Sequence, residues 1–292
     1  LRLAGADVRS SRGRLPIKIG RGRPEGGGLK FSAASAQIKS ALLLAGLGSA
    51  WTLSFRSDPP SRDHTERLLA FMGARLKISG TRLKIYPGPL HGRAIKVPGD
   101  ISSTAPFIAA ALLAGTTLRI RSVGLNPGRL GFAEVLKKMG ARIKIIARPS
   151  PSEPTGDIIV RPSALRAAKV PARRIPSMID EVPLLALLAA RARGTTVIRG
   201  TAGLRGKESD RIKSTLALLA SLGAKASYSN GALSIPGGQE FKPLKPVETF
   251  KDHRLAMAAA AASAACPGLK IKNPGCADKS YPGFLRDFRR VF

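Results

Sequence analysis

Acidic residues are scarce in this chain. It carries 18 Asp and Glu against 49 Lys and Arg, a formal net charge of +31 on 292 residues. An excess of one sign this large points to anionic partners: nucleic acid, an anionic surface or anionic small molecules. Aromatic residues are also few, at 5%, which leaves little material for stacking single-stranded bases. The two cysteines, Cys266 and Cys276, form neither a disulfide framework nor a metal cluster, and their use fits a reducing, cytoplasmic compartment. Cys266 closes an alanine-rich helix and reads as a buried, inert thiol. Cys276 lies near Lys279, without the base motif that a nucleophile needs. No apolar run approaches the roughly 18–20 residues of a membrane span, since Ala105–Gly115 and Leu255–Cys266 are the longest. Leu1–Gly5 contain no signal-peptide core. A Walker-type glycine loop is missing too, so nothing announces a nucleotide held with magnesium, and no metal or cofactor is expected.

What is there is a repeat. Hydrophobic residues make up 43% of the chain, enough for two ordinary domains with buried cores. An Ala/Leu-rich helix, a glycine turn, a β-branched strand, a second helix, Gly-Ala and a further strand recur in that order. APFIAAALLAGTTLRI with GFAEVLKKMGARIKII, and EVPLLALLAARARGTTVIRG with RIKSTLALLASLGAKASYS, are two copies. SAQIKSALLLAGLGSAWTLSF with TERLLAFMGARLKI is a third. Gly73, Gly140 and Gly223 each follow an amphipathic helix as a left-handed cap, and Arg75–Ile78, Arg142–Ile145 and Lys225–Tyr228 read as the strands that follow. A first Gly-Ala stands at Gly5, so the chain reads as truncated at its front and nearly complete at its back. Tyr86–Gly92, rich in Pro and Gly, is the expected linker; this divides the chain into 1–92, a partial first domain, and 93–292, a second. The proline-rich stretch Ala147–Asp157 reads as a surface loop.

Polar clusters fall at the loops that feed these helices. Lys207-Glu208-Ser209-Asp210-Arg211 precedes one, with Ser209 or Asp210 placed to cap it. Its bland alternative is a set of surface ion pairs. Asp180-Glu181 opens an apolar helix, either complementing its dipole or doing acid/base work. Lys251-Asp252-His253-Arg254 and Asp278-Lys279-Ser280-Tyr281-Pro282-Gly283 are further such turns. Ser35-Ala36-Gln37 and Arg62-Asp63-His64-Thr65-Glu66 open helices nearer the front. Helix N-termini gathered on one cleft suit small substrates bearing phosphate and carboxylate, handled without a cofactor.

The strings SAQIKSALLLAGL, RDHTE, PGDISSTAPFIAAALL, IPSMIDEVPLLA, LRGKESDRI, KDHRLAMA and DKSYPGF together resemble the 5-enolpyruvylshikimate-3-phosphate synthases, in the family's order and almost end to end. SAQ and RDHTE resemble its bacterial glyphosate-tolerant subgroup. The resemblance implies an α/β (α+β) fold of two domains built from repeated βαβαββ units, an inverse α/β barrel, with the first domain incomplete here. It implies transfer of the enolpyruvyl group of phosphoenolpyruvate to the 5-hydroxyl of shikimate 3-phosphate, releasing phosphate, in the shikimate pathway to chorismate.

By position, Ser35, Ala36 (through its backbone), Gln37, Arg62, Asp180 and Lys207 would hold shikimate 3-phosphate. Gln37, Arg211, Arg254 and Lys279 would hold phosphoenolpyruvate. Asp180 would take the hydroxyl proton, and Glu208 with Lys279 would move the methylene proton. The family's partners imply a monomer, with no nucleic acid and no membrane. Three departures stand out: the family's first third is absent, its Asn-Pro-Thr-Arg appears as Asn126-Pro127-Gly128-Arg129, and the +31 charge is unusual. As a fragment the chain is expected to be inactive. The rival readings are a UDP-N-acetylglucosamine enolpyruvyl transferase and a basic polyanion-binding protein, or dead remnant, on the same fold.

Overall fold

The computed structural model describes residue 2 and residues 5–20, 27–31, 35–58 and 61–292; Leu1, Leu3 and Ala4 of the opening segment lie outside the described residues. The chain forms two compact units, Leu1–Val97 with Pro149–Pro154, and Pro98–Arg148 with Thr155–Phe292. The chain therefore passes between units at Val97/Pro98, a few residues beyond the Tyr86–Gly92 segment expected as linker. That segment is held within the first unit, where the Gly88 and His91 amides donate to the carbonyls of Leu47 and Met72.

The first unit begins with a hairpin, β1 (Val8–Ser11) and β2 (Arg14–Ile19). Then come β3 (Gly27–Phe31), α1 (Ala36–Leu47), β4 (Leu53–Ser57), α2 (His64–Phe71), β5 (Leu76–Ser79) and β6 (Arg82–Ile85). Its sheet runs β3-β4-β6-β5, with β3 parallel to β4 and the other pairs antiparallel. Along β4, Leu53 and Phe55 turn inward onto Leu42, Leu43, Leu69 and Ile85, while Arg56 faces out. This is the period-2 alternation of a half-buried strand.

The second unit runs α3 (Ile101–Ala114), β7 (Leu118–Gly124), α4 (Gly131–Lys138), β8 (Arg142–Arg148), β9 (Thr155–Arg161) and β10 (Lys169–Val170). It continues with α5 (Val182–Arg191), β11 (Thr195–Arg199), α6 (Arg211–Ser221), β12 (Ser227–Ser229), β13 (Ala232–Pro236), β14 (Val247–Glu248), α7 (His253–Ser263), β15 (Ile271–Lys272) and α8 (Phe284–Val291). Its sheet β10-β11-β13-β12 repeats the first unit's order and its parallel-then-antiparallel pairing. The sheet β7-β9-β8 repeats it as well, a parallel bridge from Gly99 to Val123 standing for the first strand. β14 and β15 form the parallel pair alone. The repeat read in the sequence is thus the repeat of the fold.

The Gly-Ala marks have a common cause. Gly73, Gly140 and Gly223 sit at φ of +89°, +94° and +73°, a region that costs an L side chain free energy. In each, the following alanine amide reaches back to a helix carbonyl, Ala74 to Leu69, Ala141 to Leu136 and Ala224 to Leu219, all at 2.9 Å. This Schellman closure satisfies the orphan carbonyls of the helix end and turns the chain into the next strand. The strands start within two residues of the expected positions, as helix and strand ends generally do.

α3, α5 and α7 pack on one another at the centre of the second unit. Ala105, Ala109–Ala111, Ala186, Ala189 and Ala258–Ala262 lie buried there, and such short side chains let helix axes approach closely. The closing helix α8 docks through Phe284 and Phe288, whose rings lie 5.7 and 5.6 Å from that of Phe107. Among the described residues no helix is long and apolar enough to cross a membrane.

Candidate active site

The packing of these helices brings their N-terminal turns together. Asp210 caps α6, accepting from the Ile212 and Lys213 amides at 3.1 and 3.2 Å. Asp252 caps α7, accepting from the Arg254 amide at 2.9 Å. Ser209 is not a cap; its hydroxyl donates to Asp252 at 2.9 Å. Each cap satisfies amides that the helix itself leaves open.

Arg211, the first residue of α6, is the hub. Its side chain is 1% exposed. Nε donates to Asp252 at 2.9 Å, Nη1 to Asp180 at 2.8 Å and Nη2 to Glu208 at 2.6 Å. A buried guanidinium is tolerable only when its donors meet acceptors in this way. Because Nε is tied to Asp252, which has no exposed side-chain surface, the two outer nitrogens are aimed at Asp180 and Glu208. Lys207 and Arg254 each approach Asp180 to 4.0 Å. Burial alone would raise the Asp180 carboxyl; Arg254, Arg211 and Lys207 overcome it and hold it down to about 2.

Arg254 is the informative group. Its Nε and Nη1 are buried and have no hydrogen-bond partner among the described residues. Two sheltered cationic donors without an acceptor carry a desolvation cost that an anionic ligand would remove. The Nδ1 of the neighbouring His253 is likewise unpartnered among the described residues, and burial, helped by Arg254, lowers its pKa. Cys266 is buried as expected, its thiol pKa raised by burial.

A profile of the EPSP synthase family, described as 3-phosphoshikimate 1-carboxyvinyltransferase, matches residues 1–288. The chain belongs to the EPSP synthase family. It is 44% identical over 289 residues to the 3-phosphoshikimate 1-carboxyvinyltransferase of Acidiphilium cryptum (strain JF-5), covering 96% of this chain and 64% of that protein. It is 41% identical over 294 residues to that of Endomicrobium trichonymphae, covering 98% and 68%. Among solved structures, an EPSP synthase from Acinetobacter baumannii superposes with a TM-score of 0.88 at 35% identity, over 99% of this chain and 68% of the other. The chain spans about two thirds of the length of these relatives, and under two thirds of the Acidiphilium protein. The α/β repeat fold expected from the sequence is the fold of this family.

Of the residues that the EPSP synthase resemblance singled out, the second unit gathers Asp180, Lys207, Glu208, Arg211 and Arg254. Lys279 ends the 3₁₀ turn Pro274–Lys279, which packs on α7; none of the bonds described above reaches it. Ser35, Ala36, Gln37 and Arg62 lie in the first unit. Ser35 caps α1, accepting from the Ile38 amide at 3.4 Å, Ala36 and Gln37 open that helix, and Arg62 precedes α2. Beneath them Lys39 and Glu66 form an ion pair at 2.5 Å with both side chains 4% exposed. Lys39 also donates to the Ser61 carbonyl at 3.2 Å, and Ser40 bonds Thr65 at 2.5 Å. The SAQ and RDHTE segments are thus fastened to each other.

The sequence did not reveal Asp252 as the partner of Arg211, nor the group formed by Ser102, Arg129 and Glu181. Ser102 donates to the buried Glu181 and accepts from Arg129, which also reaches Asp100 at 3.2 Å. The Asn126-Pro127-Gly128-Arg129 variant keeps its turn, since the Asn126 side chain accepts from the Gly128 amide at 2.9 Å. Burial raises the Glu181 carboxyl against the pull of Ser102 and Arg129. An acid raised on folding contributes stability fully below its unfolded pKa, and loses it as pH rises through the folded value. Glu181→Gln, which keeps an oxygen for Ser102, should therefore raise the unfolding midpoint at about pH 8 and leave it unchanged near about pH 4. A lower midpoint at the higher pH would mean that Arg129 stabilises the ionised form instead.

Proposed function

We propose that the residues gathered in this chain serve the reaction for which its relatives are named, joining the enolpyruvyl group of phosphoenolpyruvate to the 5-hydroxyl of shikimate 3-phosphate and releasing phosphate; the isolated chain, expected to be inactive, is tested by substrate binding and not by turnover. The observation that carries the reading is the Arg254 guanidinium, sheltered and with two unpartnered donors, beside a carboxylate held ionised by three cations.

Asp180 accepts the hydroxyl proton while the oxygen bonds to the central carbon of phosphoenolpyruvate. With its carboxyl near 2, Asp180 is a weak base until a second anion arrives. The carboxylate and phosphate of phosphoenolpyruvate compete for Arg211 and Arg254, and every contact they take from Asp180 raises its proton affinity. The two substrates thereby activate the base that joins them. Glu208 and Lys279 deliver a proton to the methylene carbon and remove one when phosphate leaves, restoring the double bond. The tetrahedral adduct carries more crowded charge than either substrate, so cations already fixed in place lower its energy preferentially. Lys207 holds shikimate 3-phosphate in the second unit; Ser35, Ala36, Gln37 and Arg62 of the first unit are assigned to the same substrate by the family resemblance alone. No metal or cofactor enters these steps.

Calorimetric titration of the chain with shikimate 3-phosphate is expected to show saturable binding. Lys207→Ala should weaken it about 10-fold or more, the worth of a charge-assisted hydrogen bond. Equal binding by the parent and by Lys207→Ala combined with Arg62→Ala would overturn the assignment. Phosphoenolpyruvate, titrated against Arg254→Ala, tests the other half.

A further inference from the structure

The proposed chemistry uses a handful of cations and leaves most of the +31 charge without a role. Strand register shows where part of it is concentrated. In the β7-β9-β8 sheet the inner face is Ile120, Ile143, Ile158 and Val160, packed into or against the core. The other face is cationic. Arg142 stands directly opposite Arg161, and Lys144 lies two residues along on the same side. Directly opposed like charges destabilise a sheet.

Among the described residues the only carboxylate on this face is Asp157, and it is already engaged. Arg119 and Arg148 reach it at 2.8 and 2.6 Å and the Ser122 amide donates to it, holding its carboxyl below the ordinary range. Arg142, Lys144 and Arg161 therefore remain uncompensated. With Lys137 at the end of α4 they line a groove of about 480 Å³ with no acidic residue among the described residues that line it. In the first unit, taken by itself, the register sets Lys77 opposite Lys84 and Arg56 opposite Arg82.

We propose that the solvent face of the β7-β9-β8 sheet is a docking surface for the phosphate backbone of double-stranded nucleic acid. Three features select this occupant. The cations are presented by rigid strands, those two residues apart being about 6.8 Å from one another, which suits a regularly spaced row of phosphates. The face carries no aromatic residue for stacking, which disfavours a single strand. It has no large apolar protrusion of the kind that buries into a lipid headgroup layer: Ile146, its most exposed aliphatic, is 36% exposed. Contacts of this type position a duplex without reading its bases.

The test compares the parent chain with two triple variants of equal charge change. Arg142→Glu with Lys144→Glu and Arg161→Glu alters the face, whereas Lys225→Glu with Lys245→Glu and Lys270→Glu alters exposed lysines elsewhere in the second unit. Duplex DNA is titrated over a series of salt concentrations, with anionic phospholipid vesicles as a parallel arm. The expected result is that the face variant flattens the plot of log affinity against log salt by about 2–3 units, one per lost phosphate contact. The control should flatten it by less than about one. Shikimate 3-phosphate binding should be unchanged in both. Equal losses in the two variants would overturn the proposal, as would vesicle binding tighter than duplex binding or no duplex binding by the parent chain.

Discussion

Arg211→Met is expected to destabilise the second unit by about 3–5 kcal/mol, the usual consequence of removing one partner from a buried charge network. Methionine replaces the stem at similar bulk but leaves Asp252, with no side-chain exposure, facing a thioether. It also removes the 2.8 Å hydrogen bond from Arg211 to Asp180 and frees Glu208, the least buried of the three acids. Asp252→Leu added to Arg211→Met should restore part of the loss, because a matched apolar pair avoids burying an unpaired charge. Recovery stays incomplete: Asp252 also caps α7 through the Arg254 amide, and losing a cap costs about 1 kcal/mol. Urea unfolding of the two variants beside the parent measures both quantities. A loss below about 1 kcal/mol in Arg211→Met would mean that solvent compensates the network far better than its geometry allows. The same variant should also move the acid limb of unfolding. Asp180, at about 2 in the folded chain, contributes stability above the unfolded carboxylate pKa and loses it as pH falls through the folded value. Without Arg211 that transition shifts upward.

Glu66→Ala is expected to have an effect of similar size in the first unit. Lys39 and Glu66 are both 4% exposed, so the alanine variant strands an ammonium whose only other acceptor among the described residues is the Ser61 carbonyl; the expected loss is again about 3–5 kcal/mol. Lys39→Met combined with Glu66→Met should recover most of it. The two variants separate charge from packing: both break the ion pair, but only the single one leaves a buried charge. The pair also ties the start of α1 to the start of α2, where Ser35, Gln37 and Arg62 stand. If those residues hold shikimate 3-phosphate, the single variant should weaken its binding, and the double variant should bind nearly as the parent does. Equal instability of the two variants would locate the cost in packing rather than in the ion pair.

The repeat was legible because local rules write it directly into the chain. Helix-length Ala/Leu runs, a glycine that must take a left-handed conformation, and β-branched strands are near-neighbour features, so Gly73, Gly140 and Gly223 announced the turns they make. A cap at Ser209 or Asp210 was legible for the same reason, since a cap acts on amides two and three residues away; the fold chose Asp210. The family followed from a set of such strings in a fixed order.

Partnership across long separations was not legible. Arg211 lies 41 residues from Asp252 and 31 from Asp180, and Glu181 lies 79 from Ser102. No spacing rule links such pairs; only the packing of α3, α5, α6 and α7 brings their first turns together. The opposite behaviour of two adjacent acids was hidden for the same reason. Asp180 faces three cations and is held ionised, while Glu181, one residue on, is buried against a serine and is raised. Composition announced the excess positive charge. Strand register, a property of hydrogen-bonded neighbours distant in sequence, decided that Arg142, Lys144 and Arg161 share one uncompensated face. By itself the sequence determined the repeat, its turns and the family; the tertiary structure decided which charges meet, because electrostatic energy depends on distance and burial in space and not on order along the chain.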